Sequence, residues 1–482
     1  MTKVTGRRPP IKSTSLLVLA VGACGGGDGG SGSTGPQAPA LVFEQVATLS
    51  VAYGGTFLAN GVADFLGDGS QVIVFSGPMA PFTPTPVPFK AIRISRSGAL
   101  SDVTGAMFGS QSPSAVHARR MIVTDLNGDH IPDIFSANHG YDVAPSPGER
   151  QTLLLSSGTG TFTDASSSLP ALNNFAHSAA AGDVRRAGVK DIIVGQLSTT
   201  KNLGVPDIYK GPNTFSYIDA SGQEVTEVGP YMLRGGSGGT FTYDNHSLAI
   251  RLAFPWDKST QPWSPFSTPG FFTSSLLVDV NGDDWPDLVL GAEQYSTVAG
   301  AVFLNDGTGQ FTGTSCLLPV GSFGSQNTIS VDMATIDLNG DGRPDLLLSQ
   351  TPNQPVFYGG GRIQVLMNDG NCSFHDETAS RMPGQTGTAT WVQFILFADM
   401  NRDGLTDIVL QVDSPNQADP VVWINQGGGF FSPLAQSSMP PFPYHLLTPI
   451  DYDGDGIPDL ISFHPYASPG ELAITLFKGV IR

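Results

Sequence analysis

The feature that most restricts what this chain can fold into is a nine-residue frame, Asp337-Leu-Asn339-Gly-Asp341-Gly-Arg-Pro-Asp345, with the apolar run Leu346-Leu347-Leu348 behind it. It places oxygen-bearing side chains at positions 1, 3, 5 and 9 and glycines at 4 and 6. The same frame recurs as Asp125-Asn127-Asp129-Asp133, Asp279-Asn281-Asp283-Asp287, Asp399-Asn401-Asp403-Asp407 and Asp451-Asp453-Asp455-Asp459. Two worn copies complete the set: Asp64 and Asp68 have Leu66 and Val72 at positions 3 and 9, and Asp183 and Asp191 enclose Arg185 and Ala187. First aspartates fall at 64, 125, 183, 279, 337, 399 and 451, at intervals of 61, 58, 96, 58, 62 and 52. A repeat of that length signals a propeller or solenoid.

Each unit reads alike. A β-rich run leads into the aspartate loop (strand A), a second leaves it (B), a third follows a variable connection (C), and a glycine turn precedes a segment starting with Phe (D). In the second unit these are Met121–Thr124, Ile134–Ala137, Thr152–Ser156 and Phe162–Asp164; in the fourth, Leu276–Val278, Leu288–Leu290, Ala301–Leu304 and Phe311–Thr312. Turns such as Asn305-Asp-Gly and Gly158-Thr-Gly supply the positive φ that tight hairpins need. The fold expected is all-β, a seven-bladed β-propeller with four-stranded blades and the loops between strands A and B. The seventh unit reads as three strands, the third being Glu471–Lys478, while Phe43–Leu49 looks like a D segment. The N-terminal strand should therefore complete the last blade and leave no unpaired inner edge.

A short loop with oxygens at these positions can wrap one hard cation. Ca²⁺ suits it better than Mg²⁺, because Ca²⁺ accepts six to eight oxygens in loose geometry. Of the 42 carboxylates, sixteen occupy ligand positions of the five full loops, so much of the net charge of −18 sits where metal would neutralise it. That acidity argues against nucleic acid as a partner. A catalytic metal needs an open coordination position and a substrate pocket, and nothing in these loops suggests either, so about five structural Ca²⁺ ions are expected.

Loops, period and four-strand unit together resemble the FG-GAP/VCBS repeats of integrin α-subunit propellers and of many secreted bacterial proteins, over roughly residues 41 to 482. The resemblance implies Ca²⁺ bound by the side chains at positions 1, 3, 5 and 9, with the carbonyl at position 7 (Ile131, Trp285, Arg343, Leu405 and Ile457). Arg402 at position 4, and His130 and Asp284 at position 6, replace the usual glycine, which should weaken those sites. The loops at Asp64 and Asp183 should hold no metal.

Residues 1–23 read as a targeting segment, with Lys3, Arg7, Arg8 and Lys12 ahead of an apolar stretch too short to span a bilayer. It ends in Val21-Gly-Ala-Cys24, which resembles the lipobox of bacterial lipoproteins and implies acylation of Cys24. Residues 24–40 would form a Gly/Ser-rich tether and 41–482 the propeller. Membrane contact would then come only through the lipid anchor, in the cell envelope, and Gly25 beside the cysteine resembles lipoproteins sent to the outer membrane. Of the remaining cysteines, an exported compartment permits pairing of Cys316 with Cys372, but the alignment sets them at opposite ends of neighbouring outer strands. Two free thiols are expected.

The 96-residue interval points to function. Its extra residues, about 198–229 and 248–270, should emerge on the face opposite the loops and raise a rim there. The rim carries Tyr209, Tyr217, Trp256 and Trp263, among other aromatics. These rings would stack on sugars or anchor a protein, or else pack over the insertion's own core. His117, His177 and His445 lie near the start of strand A and are expected to hydrogen-bond to neighbouring blades. Gly235-Gly-Ser237-Gly-Gly239 matches G-x-S-x-G without its strand–turn–helix context and is set aside. The chain reads as a binding or adhesion module for glycan or protein and not as an enzyme. The alternative is a polysaccharide lyase or hydrolase working in the central funnel, with Glu149, Arg150, Arg185, Arg186 and the histidines as candidates.

Overall fold

The computed structural model describes residues 41–482 apart from 57–58, 81, 111, 144–146, 199, 212–213, 219–220, 245, 249–271, 293–298, 313–314 and 469. Seven four-stranded antiparallel sheets form the blades of a propeller. Strands A to D are Ala59–Ala63, Gln71–Ser76, Lys90–Ile94 and Leu100–Asp102 in blade 1, and Ala118–Thr124, Asp133–Asn138, Thr152–Ser156 and Phe162–Asp164 in blade 2. Blade 3 has Phe175–Gly182, Asp191–Ser198, Tyr231–Gly235 and Phe241–Asp244; blade 4 has Phe272–Val278, Asp287–Ala292, Gly300–Phe303 and Ser315–Leu317. Blade 5 has Thr328–Ile336, Asp345–Pro352, Arg362–Gly370 and Ser373–Asp376; blade 6 has Val392–Ala398, Asp407–Val412, Val422–Asn425 and Phe431–Pro433. Blade 7 takes Thr448–Ile450, Asp459–Ser468 and Glu471–Ile481 from the C-terminal end, and its outer strand is Leu41–Ala52. That outer strand runs antiparallel to strand C from Leu41 opposite Ile481 to Ala52 opposite Glu471, which is the closure expected from the sequence.

Every blade is covered on both faces by its neighbours, so burial along strand B is continuous and does not alternate. All eight residues of Asp345–Pro352 are buried. The apolar clusters accordingly lie between blades: Val289 and Val302 of blade 4 pack with Leu346, Leu348 and Leu366 of blade 5. The second loop position has the same task in all seven repeats. Phe65, Leu126, Val184, Val280, Leu338, Met400 and Tyr452 are each at most 5% exposed. This role holds in worn and full loops alike.

Strand A carries a one-residue bulge at the same place in five blades, at Arg119, His177, Thr273, Val331 and Gln393. The bulges lie at the end of strand A remote from the aspartate loops, where the funnel opens. The insertion after blade 3's strand B forms a small sheet of its own, Thr200–Leu203, Thr214–Ile218 and Glu224–Val228.

Two expectations are corrected. Phe311 does not begin blade 4's outer strand; it is buried and bridged to Leu248, and the strand starts at Ser315. The four-residue shift brings Cys316 near the start of that strand, and Cys372 lies in the turn just before the outer strand of blade 5. Both cysteines are thus at the same end. Their Cα atoms are 6.0 Å apart and they form a disulfide, in place of the two free thiols expected.

Candidate functional site

In the five full loops the position-1 aspartate organises the turn. Asp337 accepts backbone N–H groups of Gly340 (2.8 Å), Asp341 (3.1 Å) and Gly342 (2.8 Å), while Asp341 accepts that of Arg343 (2.9 Å). The position-9 aspartate is fully buried and ties three segments together: Asp345 accepts the N–H of Leu338 (2.9 Å) at loop position 2 and of Asn368 (2.8 Å) at the end of strand C. Asp133, Asp287, Asp407 and Asp459 repeat the pattern. Burial pushes these carboxyls upward, and neighbouring loop aspartates add to the shift, to about 6 for Asp287 and Asp407 and about 7 for Asp459. A cation would relieve that repulsion. The donor set fits one: carboxylate oxygens of Asp451, Asp453 and Asp459 lie within 4.8 Å of one another. In the same loop Lys478 is ion-paired with Asp453 and Asp455, so an ammonium shares this acidic site.

The worn loops are neutralised from within. Arg185, at position 3, makes a bidentate pair with the buried Asp191 (2.9 and 2.7 Å) and also donates to the Gly235 carbonyl (2.7 Å). In blade 1, Arg93 of strand C donates to Asp68 (2.6 Å).

On the opposite face an unbroken run of rings and cations crosses the funnel. Phe357 meets Tyr358 (centroids 4.5 Å), Tyr358 meets Trp391 (5.2 Å), and the Arg119 guanidinium lies 4.4 Å over Trp391. Arg119 Nε donates to His177 Nε2 (3.0 Å), whose Nδ1 donates to the Thr273 carbonyl (2.8 Å), fixing the tautomer. His177 is followed by His139 (5.7 Å), His117 (4.8 Å), Phe82 (5.6 Å) and Tyr141 (5.0 Å). Below it, Arg120 crosses to Asp332 (2.8 Å) and lies 4.6 Å over Phe394, beside a cavity of about 10 Å³, room for one water.

Burial dominates the electrostatics here. His117 is pushed down to about 3, with Arg119 adding to the shift, and His139 and His177 fall well below the ordinary imidazole value. All three are neutral near pH 7. Glu149 is pushed up to about 7 although it accepts the backbone N–H groups of Val116 and His117.

The histidines expected only to bridge blades divide into two groups. His177 does bridge, to blade 4, and joins His117 in the funnel. His445 lies elsewhere and also bridges, donating to the Asp413 carbonyl of blade 6 (2.7 Å) and facing His464, whereas neither ring nitrogen of His117 has a partner. The other candidates do not converge: Arg150 donates to the Ser166 and Leu169 carbonyls, and Arg186 reaches the Asp284 carbonyl and stacks over Trp285. Of the rim aromatics, Tyr209 is half-buried against Tyr243 (5.0 Å) and the core of blades 2 and 3. Tyr217 lies on the insertion's second strand, whereas Trp256, Trp263 and Cys24 fall outside the described residues. Arg119, His139, Tyr358 and Trp391 were missed, because their convergence depends on the bulges and on side-chain contacts between blades distant in sequence.

The family described as FG-GAP-like repeat matches residues 94–194, 279–348 and 399–462. Integrin alpha-3 of Cricetulus griseus is 22% identical over 244 residues, covering 47% of this chain and 22% of its own; that of Mus musculus is 25% identical over 250 residues, covering 47% and 23%. Integrin alpha-7 of Homo sapiens is 38% identical over 104 residues, 20% of this chain and 8% of its own. The chain thus spans about a quarter or less of the length of these relatives. Among solved structures, an Agrocybe aegerita lectin recognising non-reducing terminal N-acetylglucosamine aligns over 86% of this chain and 89% of its own at 15% identity and a TM-score of 0.44. The V. cholerae biofilm matrix protein Bap1 aligns over 90% and 91% at 10% identity and 0.40. At those scores neither carries functional weight. The chain carries FG-GAP-like repeats on a seven-bladed propeller and is homologous, over the matched part, to the integrin α subunits.

Proposed function

We propose that this protein is a calcium-stabilised, envelope-anchored propeller that acts as a binding module for glycan or protein on the face opposite the aspartate loops. The observation carrying this reading is the funnel mouth, where aromatic rings gather around a buried arginine that has no ion-pair partner among the described residues. Support for an exported location comes from the Cys316–Cys372 disulfide, a bond that persists in oxidising compartments, and from the lipobox-like sequence at Cys24. Ca²⁺ at the five full loops would link strands A and B and stabilise the fold by mass action.

A glycan array and a pulldown with the full chain, each in calcium and in chelator, test the reading. Binding that requires calcium and is lost on trimming residues 198–229 would favour the insertion rim; binding that survives trimming would favour the funnel. Capture of nothing in either format would refute the module.

A second reading, a polysaccharide-acting enzyme, is favoured by one observation. His117 is neutral, neither of its ring nitrogens has a partner, and Glu149 and Arg119 are close by. Release of new reducing or unsaturated ends from acidic polysaccharides, abolished by His117→Ala, would establish it.

A further inference from the structure

Arg119 is buried to 5% exposure, yet among the described residues no carboxylate lies within ion-pairing distance and its Nη1 has no partner at all. Burial lowers it only to about 10, so it is charged at neutral pH. A buried cation without an anion in direct contact is costly, and proteins rarely retain one without use. This one is also held in place. Its Nε is fixed by His177 and its face by Trp391, which leaves Nη1 enclosed and without a partner. Two further groups there lack partners, both ring nitrogens of His117 and Nδ1 of His139, the latter residue 2% exposed.

We infer that Arg119 anchors a subsite for a carboxylate-bearing saccharide in the funnel mouth, an inference that rests on the binding-module reading and names its ligand. The planar guanidinium fork matches a carboxylate in two-point geometry. Neutral imidazoles supply both donors and acceptors for ring hydroxyls. Sugar faces would lie on the flanking rings, of which Phe357 is 59% exposed. A dense polyanion is disfavoured, because Asp142 and Asp413 act on Arg119 from the mouth and the chain is strongly acidic.

The test uses the full chain, saturated with calcium, on an array of carboxylated oligosaccharides beside their carboxyl-reduced counterparts, with poly-glutamate as a peptide arm. Capture confined to carboxylated sugars is expected, weakened at least tenfold by Arg119→Gln and less by Arg119→Lys. Arg119→Gln should melt no lower than the parent, since it removes an uncompensated buried charge; a purely structural arginine would lower the melting temperature. Equal binding of carboxyl-reduced sugars, unchanged binding by Arg119→Gln, or capture of poly-glutamate alone would overturn the inference while leaving a binding module standing. Capture of no probe would overturn both.

Discussion

Arg185 holds Asp191 in a two-point ion pair at the place where a full repeat has an asparagine or aspartate at position 3 and the same buried aspartate at position 9. A guanidinium stands where the full loops would hold a cation. Arg185→Ala leaves Asp191 buried with only the Gly235 N–H and the more distant Arg234 (3.4 Å), and should cost about 2–3 kcal/mol, discounted for the partial exposure of Arg185. The loss should be the same in calcium and in chelator, measured by denaturant unfolding. A loss seen only in calcium would show that blade 3 binds metal after all.

The full loops should behave in the opposite way. Asp337→Ala should remove one equivalent of bound calcium and lower the melting temperature in calcium, and lower it less in chelator, where only its backbone hydrogen bonds are lost. With calcium a hundredfold above its dissociation constant, each site stabilises by about 2.7 kcal/mol. Metal analysis alongside thermal scans checks this. A melting temperature indifferent to chelator would remove calcium from the account.

Where glycine is missing from the loop frame, the backbone has kept glycine's conformation. Arg402 at position 4 has φ of 59°, and His130 and Asp284 at position 6 have φ of 68°. A side chain is strained there by about 1–2 kcal/mol. Arg402→Gly, His130→Gly and Asp284→Gly should each gain about 0.5–1 kcal/mol after the extra entropy of glycine is counted. Calcium affinity should rise with them. Unfolding curves for the three single variants would show it, and losses at all three would refute the strain.

Most of the fold was legible because the repeat writes its pattern seven times. The loop frame, the strand runs behind it and the closing N-terminal strand all follow from local chemistry and spacing. What the sequence concealed was of two kinds. The outer strand of blade 4 was misplaced because Phe311 looks like other D-segment phenylalanines, whereas its ring is needed in the core beside Val184 and Leu248. The funnel site was concealed because Arg119, His177 and Trp391 are brought together by bulges and by contacts across the ring.

The disulfide joins neighbouring blades across 56 residues of chain. In the chain-entropy account a closed loop of this size contributes about 4 kcal/mol. The double variant Cys316→Ser/Cys372→Ser should therefore unfold at lower denaturant, and reductant should shift the parent toward it. Parent and variant with identical midpoints, both without reductant, would show that closure between blades 4 and 5 depends on packing alone.

Acid should act on the funnel through its histidines. His117, His139 and His177 are neutral when folded, whereas in the unfolded chain each takes up a proton near pH 6.5. The unfolded state therefore binds more protons, and stability falls as pH drops below 6.5, by about 1.4 kcal/mol per pH unit for each histidine. Glu149 works in the other direction. Its folded value is raised to about 7, so its contribution is present below pH 4.5 and is lost as pH rises through 7. His139→Gln should flatten the dependence between pH 6.5 and 4.5 by about one proton, and Glu149→Gln should steepen it by a similar amount. Denaturant midpoints taken every half pH unit, with calcium saturating so that the loop carboxylates stay ionised, separate the two. If both variants ran parallel to the parent, the imidazoles would be protonated in the folded funnel, and the neutral cluster beside Arg119 would be wrong.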